Sequence, residues 1–345
     1  MNKEEISAKI AELERMIADK NAYKDNNAKG TEDHDSNTEV FSDAYGLCLG
    51  GGGGKGAYQL GVYKALCEYG LWDKISHISG SSIGAINAVL FAGASPERSV
   101  EAWGKIDFET VFEIDENLMF DGKPGFMARN EMLSLMEKYV DYDAVREGNK
   151  DICVTISNYI SEDNKAPEYV CLNGLSNEDI DKLILASSAL PVLYEPVSYN
   201  NKLYYDGGIT DNIPVKPLYD NGLRHIIVCG LNPNSRKNLS AYKDADFIEI
   251  YPSVSLGDLV TGTLNFSAND TKFRMLLGYK DALRALKVYF EKDPAYISQL
   301  KHYEEIDLAD IKTEMKIYNA QNSYDDNVKN IDRLLSGLGI SNIEK

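Results

Sequence analysis

Residues 50–54 are five consecutive glycines, and thirty residues further on comes Gly80-Ser81-Ser82-Ile83-Gly84. Neither stretch suits the interior of a helix or a strand. Each glycine there costs roughly 0.5–1 kcal/mol relative to alanine, and five in a row bury no side chain. The chain must turn at both places, so the flanks decide the fold. Residues 44–49 (AYGLCL) are an apolar run of strand length, and residues 55–69 carry Ala57, Leu60, Val62, Ala65 and Leu66 at near-helical spacing. Residues 75–79 read as a second short strand, and residues 83–94 (IGAINAVLFAGA) as a small-residue apolar helix suited to pack deep against a sheet. Strand, glycine turn, helix, strand, serine turn, helix is the order of an α/β sandwich. Both turns then fall at the carboxyl ends of parallel strands, where open α/β sheets place ligands.

The same two turns carry chemistry. A serine centred in G-x-S-x-G between strand and helix is a nucleophile elbow: Gly80 and Gly84 allow the sharp turn, and the Ser82 hydroxyl stands exposed at its tip. A glycine run at a helix N-terminus presents bare N–H groups that stabilise a phosphate or a developing oxyanion. Together they point to acyl transfer. A serine needs a base. Of the four histidines, His34 lies in a polar stretch, His77 interrupts the strand before the elbow, His225 opens the apolar run 226–229, and His302 lies in a charged helical tail. Asp206 is the better candidate: it ends an apolar segment and precedes Gly207 and Gly208, a turn that leaves a carboxylate exposed near backbone donors.

Three other readings compete. Gly51, Gly53 and Gly56 also fit a dinucleotide fingerprint with Asp73 as the acidic partner, which predicts a nucleotide-binding oxidoreductase. That fingerprint needs a second strand ending at the acidic residue, and residues 68–72 (EYGLW) read as a helix end instead. A Walker phosphate loop is excluded, because Lys55 is followed by Gly56 and preceded six residues earlier by Leu49. A Ser…Asp…His hydrolase would have to use His225 or His302. A non-catalytic lipid-binding module is the remaining class, and the presence of the glycine run, Ser82 and Asp206 together speaks against it.

Gly51-Gly52-Gly53-Gly54-Lys55-Gly56, Gly80 to Gly84, and Asp206-Gly207-Gly208 follow one another in the order of the three motifs of the patatin-like phospholipase family, which the chain resembles over roughly residues 43–285. Supporting stretches are residues 57–62 (AYQLGV), 186–191 (ASSALP) and 211–214 (DNIP). The resemblance implies a three-layer α/β/α sandwich with a mainly parallel sheet. It implies a Ser–Asp dyad without histidine, with Ser82 as nucleophile and Asp206 as base. The oxyanion donors would be the amides of Gly51, Gly52 and Gly53, assisted by the charge of Lys55; Gly80, Ile83 and Gly84 would form the elbow, and Gly207 and Gly208 the loop of the base. The reaction would be hydrolysis of a lipid or other acyl ester through an acyl-enzyme, with no cofactor.

Composition bounds the surroundings. The 345 residues, 43 % hydrophobic, suffice for one large domain with extensions. The organisation expected is an N-terminal helix and polar linker (1–40), a catalytic domain (41–285) and a helical extension (286–345) packed on it. Within the first, Ile6, Ile10, Leu13 and Ile17 form one stripe, which packs on the chain's own domain or forms a homodimer contact. Residues 107–121 are acidic and aromatic, and Met132, Leu135, Met136 and Tyr139 share a helix face that lines an acyl pocket or an ordinary core. The five cysteines are scattered, most of them in expected strands, and read as buried free thiols; no Cys/His cluster suggests a metal. A net charge of −18 disfavours nucleic acid and tight docking on anionic membranes, leaving peripheral contact with neutral lipid faces. No stretch approaches 18 apolar residues, and the charged start of the chain lacks the apolar core of a signal peptide, so a cytoplasmic location is expected.

Overall fold

The structure, a computed structural model, describes residues 41–106, 113–114, 127–128, 130–161, 164–191 and 193–337. The N-terminal helix and linker, and nearly all of the acidic-aromatic stretch, lie outside the described residues. The described residues form two compact units that divide between Lys292 and Asp293.

The first unit is built on an eight-stranded sheet. Its strands are β1 (Phe41–Leu49), β2 (Ile75–Ser81), β3 (Asp151–Ser161), β4 (Asn164–Cys171), β5 (Val197–Tyr199), β6 (Lys202–Asp206), β7 (Leu223–Cys229) and β8 (Asp246–Ile250). The order is β8-β7-β1-β2-β3-β6-β5, with β4 also on β3; β8 through β3 are parallel and the rest antiparallel. The central parallel strands are apolar runs, as strands covered on both faces must be: Leu47, Cys48, Leu49 and residues 226–229 are all essentially inaccessible.

Helices cover both faces. They are α1 (Ala57–Glu68), α2 (Ile83–Gly93), α3 (Pro96–Trp103), α4 (Asn130–Tyr139), α5 (Tyr142–Glu147), α6 (Asn177–Ser187), α7 (Lys216–Asp220) and α8 (Ala268–Glu291). Cys48, Ile226 and Val228 pack with Leu218 of α7 on one face, where Ser79 also donates to Pro214 O (2.6 Å). The alternate residues face α1 and α2: Gly80 lies directly under Gly84 at the start of α2. Outside α1 runs α8; the two backbones touch at Gly61 and Gly278, and Tyr58 donates to the buried Asp281 carboxylate (3.0 Å). The result is the three-layer α/β/α sandwich expected from the sequence.

The second unit, Asp293–Lys345, contains α9 (Pro294–Ser298) and α10 (Leu300–Gly337), with Tyr296 stacked on Tyr303 at 4.6 Å. The expected boundary at 285 falls inside α8. All five cysteines are free; Cys48, Cys153 and Cys229 are buried in strands as expected, whereas Cys67 is half-buried on α1 and Cys171 is exposed.

Candidate active site

The sheet brings two strand ends together head-on. β4 occupies one edge of β3 along most of its length, so β2 and β6 share the other edge. β2 runs parallel to β3 and ends with Ser81 opposite Thr155. β6 runs antiparallel and ends with Asp206 opposite Ile156, the next residue. The residue that leaves β2 is Ser82. Its Oγ donates to Asp206 Oδ2 at 2.6 Å. Both groups are buried, Ser82 at 8 % and Asp206 at 2 % exposure.

Ser82 stands in a strained backbone conformation (φ 56°, ψ −127°), held between β2 and α2. Gly80 and Gly84 make the turn feasible: a Cβ on Gly80 would lie 2.3 Å from Gly84 O, and one on Gly84 would lie 2.2 Å from Leu49 O. Ser82 caps α2, so the positive end of that helix dipole lies at this serine. Its own N–H donates to Ser187 Oγ (3.0 Å), which in turn donates to Thr155 O (2.7 Å). This hydroxyl ties the elbow to β3.

Asp206 is fixed at every polar atom. Its N–H donates to Ala189 O (2.9 Å), its carbonyl accepts from Ser157 Oγ (2.7 Å), and its Oδ1 accepts from Gly208 N (2.7 Å). Oδ2 is thereby aimed at the serine. The hairpin that delivers it turns on Asn200 and Asn201, both in the left-handed region (φ 48° and 61°), a two-residue turn for which asparagine is well suited.

The glycine loop lies against Ser82: a Cβ on Gly51 would stand 2.9 Å from the Ser82 Cβ. Gly50 N donates to Cys229 O (3.0 Å), and Gly51 N to Asn212 O (3.2 Å), while Asn212 Nδ2 donates back to Gly51 O (3.3 Å). The amides of Gly52 and Gly53 donate to no carbonyl among the described residues, and Gly53 borders the same cleft as Ser82. Lys55 is half-buried with its side chain against Gly262. Burial, then the neighbouring Arg274 guanidinium, lowers its pKa, and Asp258 opposes the shift.

Below Ser82 opens an apolar cleft between α2, α3, α4 and the segment 263–266. Met132, Leu135 and Met136 line it, so three of the four residues of the expected α4 face meet the cleft. Tyr139 does not; its hydroxyl donates to Glu101 (2.9 Å). The wall residue Trp103 is oriented by a buried chain that sequence reasoning missed. Trp103 Nε1 donates to Asn87 Oδ1 (3.0 Å), Asn87 Nδ2 to Gln59 Oε1 (2.8 Å), and Gln59 Nε2 to Gly50 O (2.8 Å). Ser187, Asn212, Thr263 and Phe266 were likewise given no role from sequence.

Within the first unit the competing constellations are not assembled. Asp73 lies in a short turn ahead of β2, at the opposite end of the sheet from the glycine loop. His77 and His225 lie in the amino-terminal halves of β2 and β7, and their nearest acidic neighbours are Asp151 and Asp246. His302 belongs to the second unit. Among the described residues no cluster of metal-binding side chains occurs, and no helix is long and apolar enough to cross a membrane.

The chain belongs to the patatin-like phospholipase family, whose model matches residues 47–219. A lysophospholipase NTE1 from Cryptococcus neoformans is 31 % identical over 191 residues, which cover 53 % of this chain and 11 % of that protein. The human patatin-like phospholipase domain-containing protein 4 is 28 % identical over 167 residues, 47 % of this chain and 64 % of that one. Among solved structures, the type III effector ExoU of Pseudomonas aeruginosa aligns over 88 % of this chain and 66 % of its own, with a TM-score of 0.41 and 14 % identity. VipD of Legionella pneumophila covers 71 % of this chain and 67 % of its own, with a TM-score of 0.38 and 15 % identity.

Proposed function

We propose that the protein is a serine acyl hydrolase that cleaves lipid esters with a Ser82–Asp206 dyad. The observation that carries this reading is the 2.6 Å hydrogen bond from Ser82 Oγ to Asp206 Oδ2 at the head of an apolar cleft. Asp206 Oδ2 takes the hydroxyl proton as Ser82 Oγ attacks the ester carbonyl carbon. The carbonyl oxygen becomes an oxyanion, received by the amides of Gly52 and Gly53, while the paired Gly51–Asn212 contacts hold the loop in place. Collapse expels the alcohol, which takes the proton from Asp206. Water then attacks the acyl-enzyme with Asp206 again as base, and Ser82 is regenerated.

An aspartate has a reference pKa of about 3.9 and is a weak base. The reading therefore assigns most of the rate to preorganised donors, each worth roughly 100- to 1,000-fold. Lys55, turned toward Gly262, supports the loop from behind and adds a positive field. The relatives' names make lysophospholipid the first substrate to try.

The test is a fluorophosphonate probe on the purified protein with the modified peptide mapped, together with turnover of p-nitrophenyl esters and lysophosphatidylcholine. Labelling at Ser82 and loss of turnover in Ser82→Ala are expected. A protein that binds fatty acid but neither reacts with the probe nor turns over any ester would be a lipid-binding module instead.

A further inference from the structure

The cleft has a direction and an end. Ser82, Ile83, Ile86 and Leu90 all border it, and in α2 these positions form one stripe running down from the serine. The polar lining, Ser82, Ser188, Thr263 and Tyr194, is a minority; Ile86, Leu90, Trp103, Met132 and Met136 are apolar. Leu90 is 3 % exposed. The next position on the stripe, Gly93, is sealed: its carbonyl accepts from Asp141 N (2.8 Å), and a Cβ there would lie 2.6 Å from Val140 Cγ1. The groove along α2 therefore stops at Leu90.

We propose that α2 is a ruler for the acyl chain, with Leu90 as the residue that sets its length at about ten carbons. This rests on the acyl-enzyme reading above and adds the substrate class to it. Leu90 lies eight residues beyond Ser82, about 12 Å along the axis at 1.5 Å per residue. An extended chain advances by roughly 1.2 Å per bond, a third of an extended peptide residue. An acyl group esterified to Ser82 thus meets Leu90 near its tenth carbon. Ile86, four residues beyond the serine, lies at about 6 Å and flanks the fifth. Each methylene that enters the groove raises kcat/KM roughly four-fold, the factor equivalent to about 0.8 kcal/mol.

The experiment is a ladder of p-nitrophenyl esters from C2 to C16 at fixed detergent, run on wild type, Leu90→Ala, Leu90→Phe and Ile86→Phe. The readout is the chain length at which kcat/KM stops rising, taken within each variant's own ladder, so a change in overall rate does not affect it. Wild type should break near C10, Leu90→Phe two to three carbons earlier, Leu90→Ala one to two carbons later, and Ile86→Phe near C5. A wild-type ladder that climbs steadily past C14, or a break that stays put in folded Leu90 variants, overturns the ruler. Leu90→Ala carries the test if Leu90→Phe fails to fold. Failure of the hydrolase reading looks different, because no ester of any length is then turned over and Ser82 stays unlabelled. In that case fatty acids from C6 to C16 are titrated against Trp103 fluorescence in a Trp72→Phe background. Saturation of affinity near C10 supports the ruler, and its absence refutes it.

Discussion

Gly52 and Gly53 look equivalent in a run of five, but the fold separates them. Gly53 sits at φ +55°, and a Cβ there would fall 2.2 Å from Thr263 O and 2.9 Å from Thr263 Cγ2. Gly52 (φ 161°, ψ 21°) lies outside the left-handed region, and the nearest contact of a Cβ there would be Leu231 Cδ1 at 3.0 Å, the movable end of a side chain. Alanine at 53 must therefore absorb about 1–2 kcal/mol for the left-handed conformation and also push a backbone carbonyl away. That displacement shifts the amide proposed to receive the oxyanion, and losing one such donor costs roughly 100- to 1,000-fold. Gly53→Ala is expected to lower kcat and kcat/KM together by at least about 100-fold, and to lower Tm by several degrees, at roughly 2–4 °C per kcal/mol for a unit of this size. Gly52→Ala should keep kcat within about ten-fold and Tm within about 2 °C, since a flexible leucine can yield. The assay is steady-state turnover of p-nitrophenyl butyrate alongside thermal unfolding. A Gly53→Ala enzyme with unchanged kcat, or a folded Gly52→Ala enzyme as dead as Gly53→Ala, would refute the reasoning.

Asp206→Asn removes the proposed proton acceptor while keeping the shape, so kcat should drop by about 100- to 10,000-fold; His225→Gln, in the strand half remote from Ser82, should stay within two- to three-fold of wild type, and the reverse ranking would discard the dyad. Ser187→Ala strands the Ser82 amide and Thr155 O, at about 1–3 kcal/mol; kcat should fall about ten-fold or more at unchanged KM, with Ser187→Thr restoring it, and a pure KM effect would show that the hydroxyl contacts substrate instead. Arg274, 2 % exposed, donates to Asn265 O (2.6 Å) and Thr261 O (3.1 Å). Arg274→Met should lower stability in urea by about 3 kcal/mol or more, and an unchanged urea midpoint would remove its role as the pin of segment 256–265.

Much of this was readable because the chemistry needs unusual residues close together in sequence. A glycine run after an apolar strand and a serine between two glycines leave few conformations open, and both turns fell where the order of elements put them. Asp206 was legible through Gly207 and Gly208, although the hairpin that carries it was not. Its strands are three and five residues long, too short for a period, and the turn signal, Asn200-Asn201, lacks the glycine usually looked for. The apolar cleft was half visible. A Met-rich helix face reads alike whether it packs a core or borders a cavity, because burial of apolar surface drives both. Trp103, Thr263 and Phe266 could not be assigned to the cleft because they reach it from distant parts of the chain, and a local pattern does not encode such distances.

The glycine loop illustrates why sequence motif and working site differ. The dyad is local to one edge of β3: the ends of β2 and β6 meet there, Ser157 of β3 braces Asp206, and Ser187 at the end of α6 ties Ser82 to Thr155 of the same strand. The loop has no such internal support, since glycines offer no side chains. Its shape is imposed by Cys229 O on Gly50, Asn212 on Gly51, and close packing of the Thr263 and Asn265 carbonyls on Gly53 and Gly54. Three of those four braces lie beyond residue 219, where the family match ends. Arg274, on α8, holds the Asn265 carbonyl directly and grips the same segment at Thr261, two residues before Thr263. The Ser82–Asp206 pair and the glycine loop are thus two assemblies with separate scaffolds, joined where Gly51 presses on Ser82. Perturbing residues 256–274 should then leave the Ser82–Asp206 hydrogen bond intact while dispersing the proposed oxyanion donors. The family motifs can be present in full in a chain whose activity depends on how a segment outside them packs.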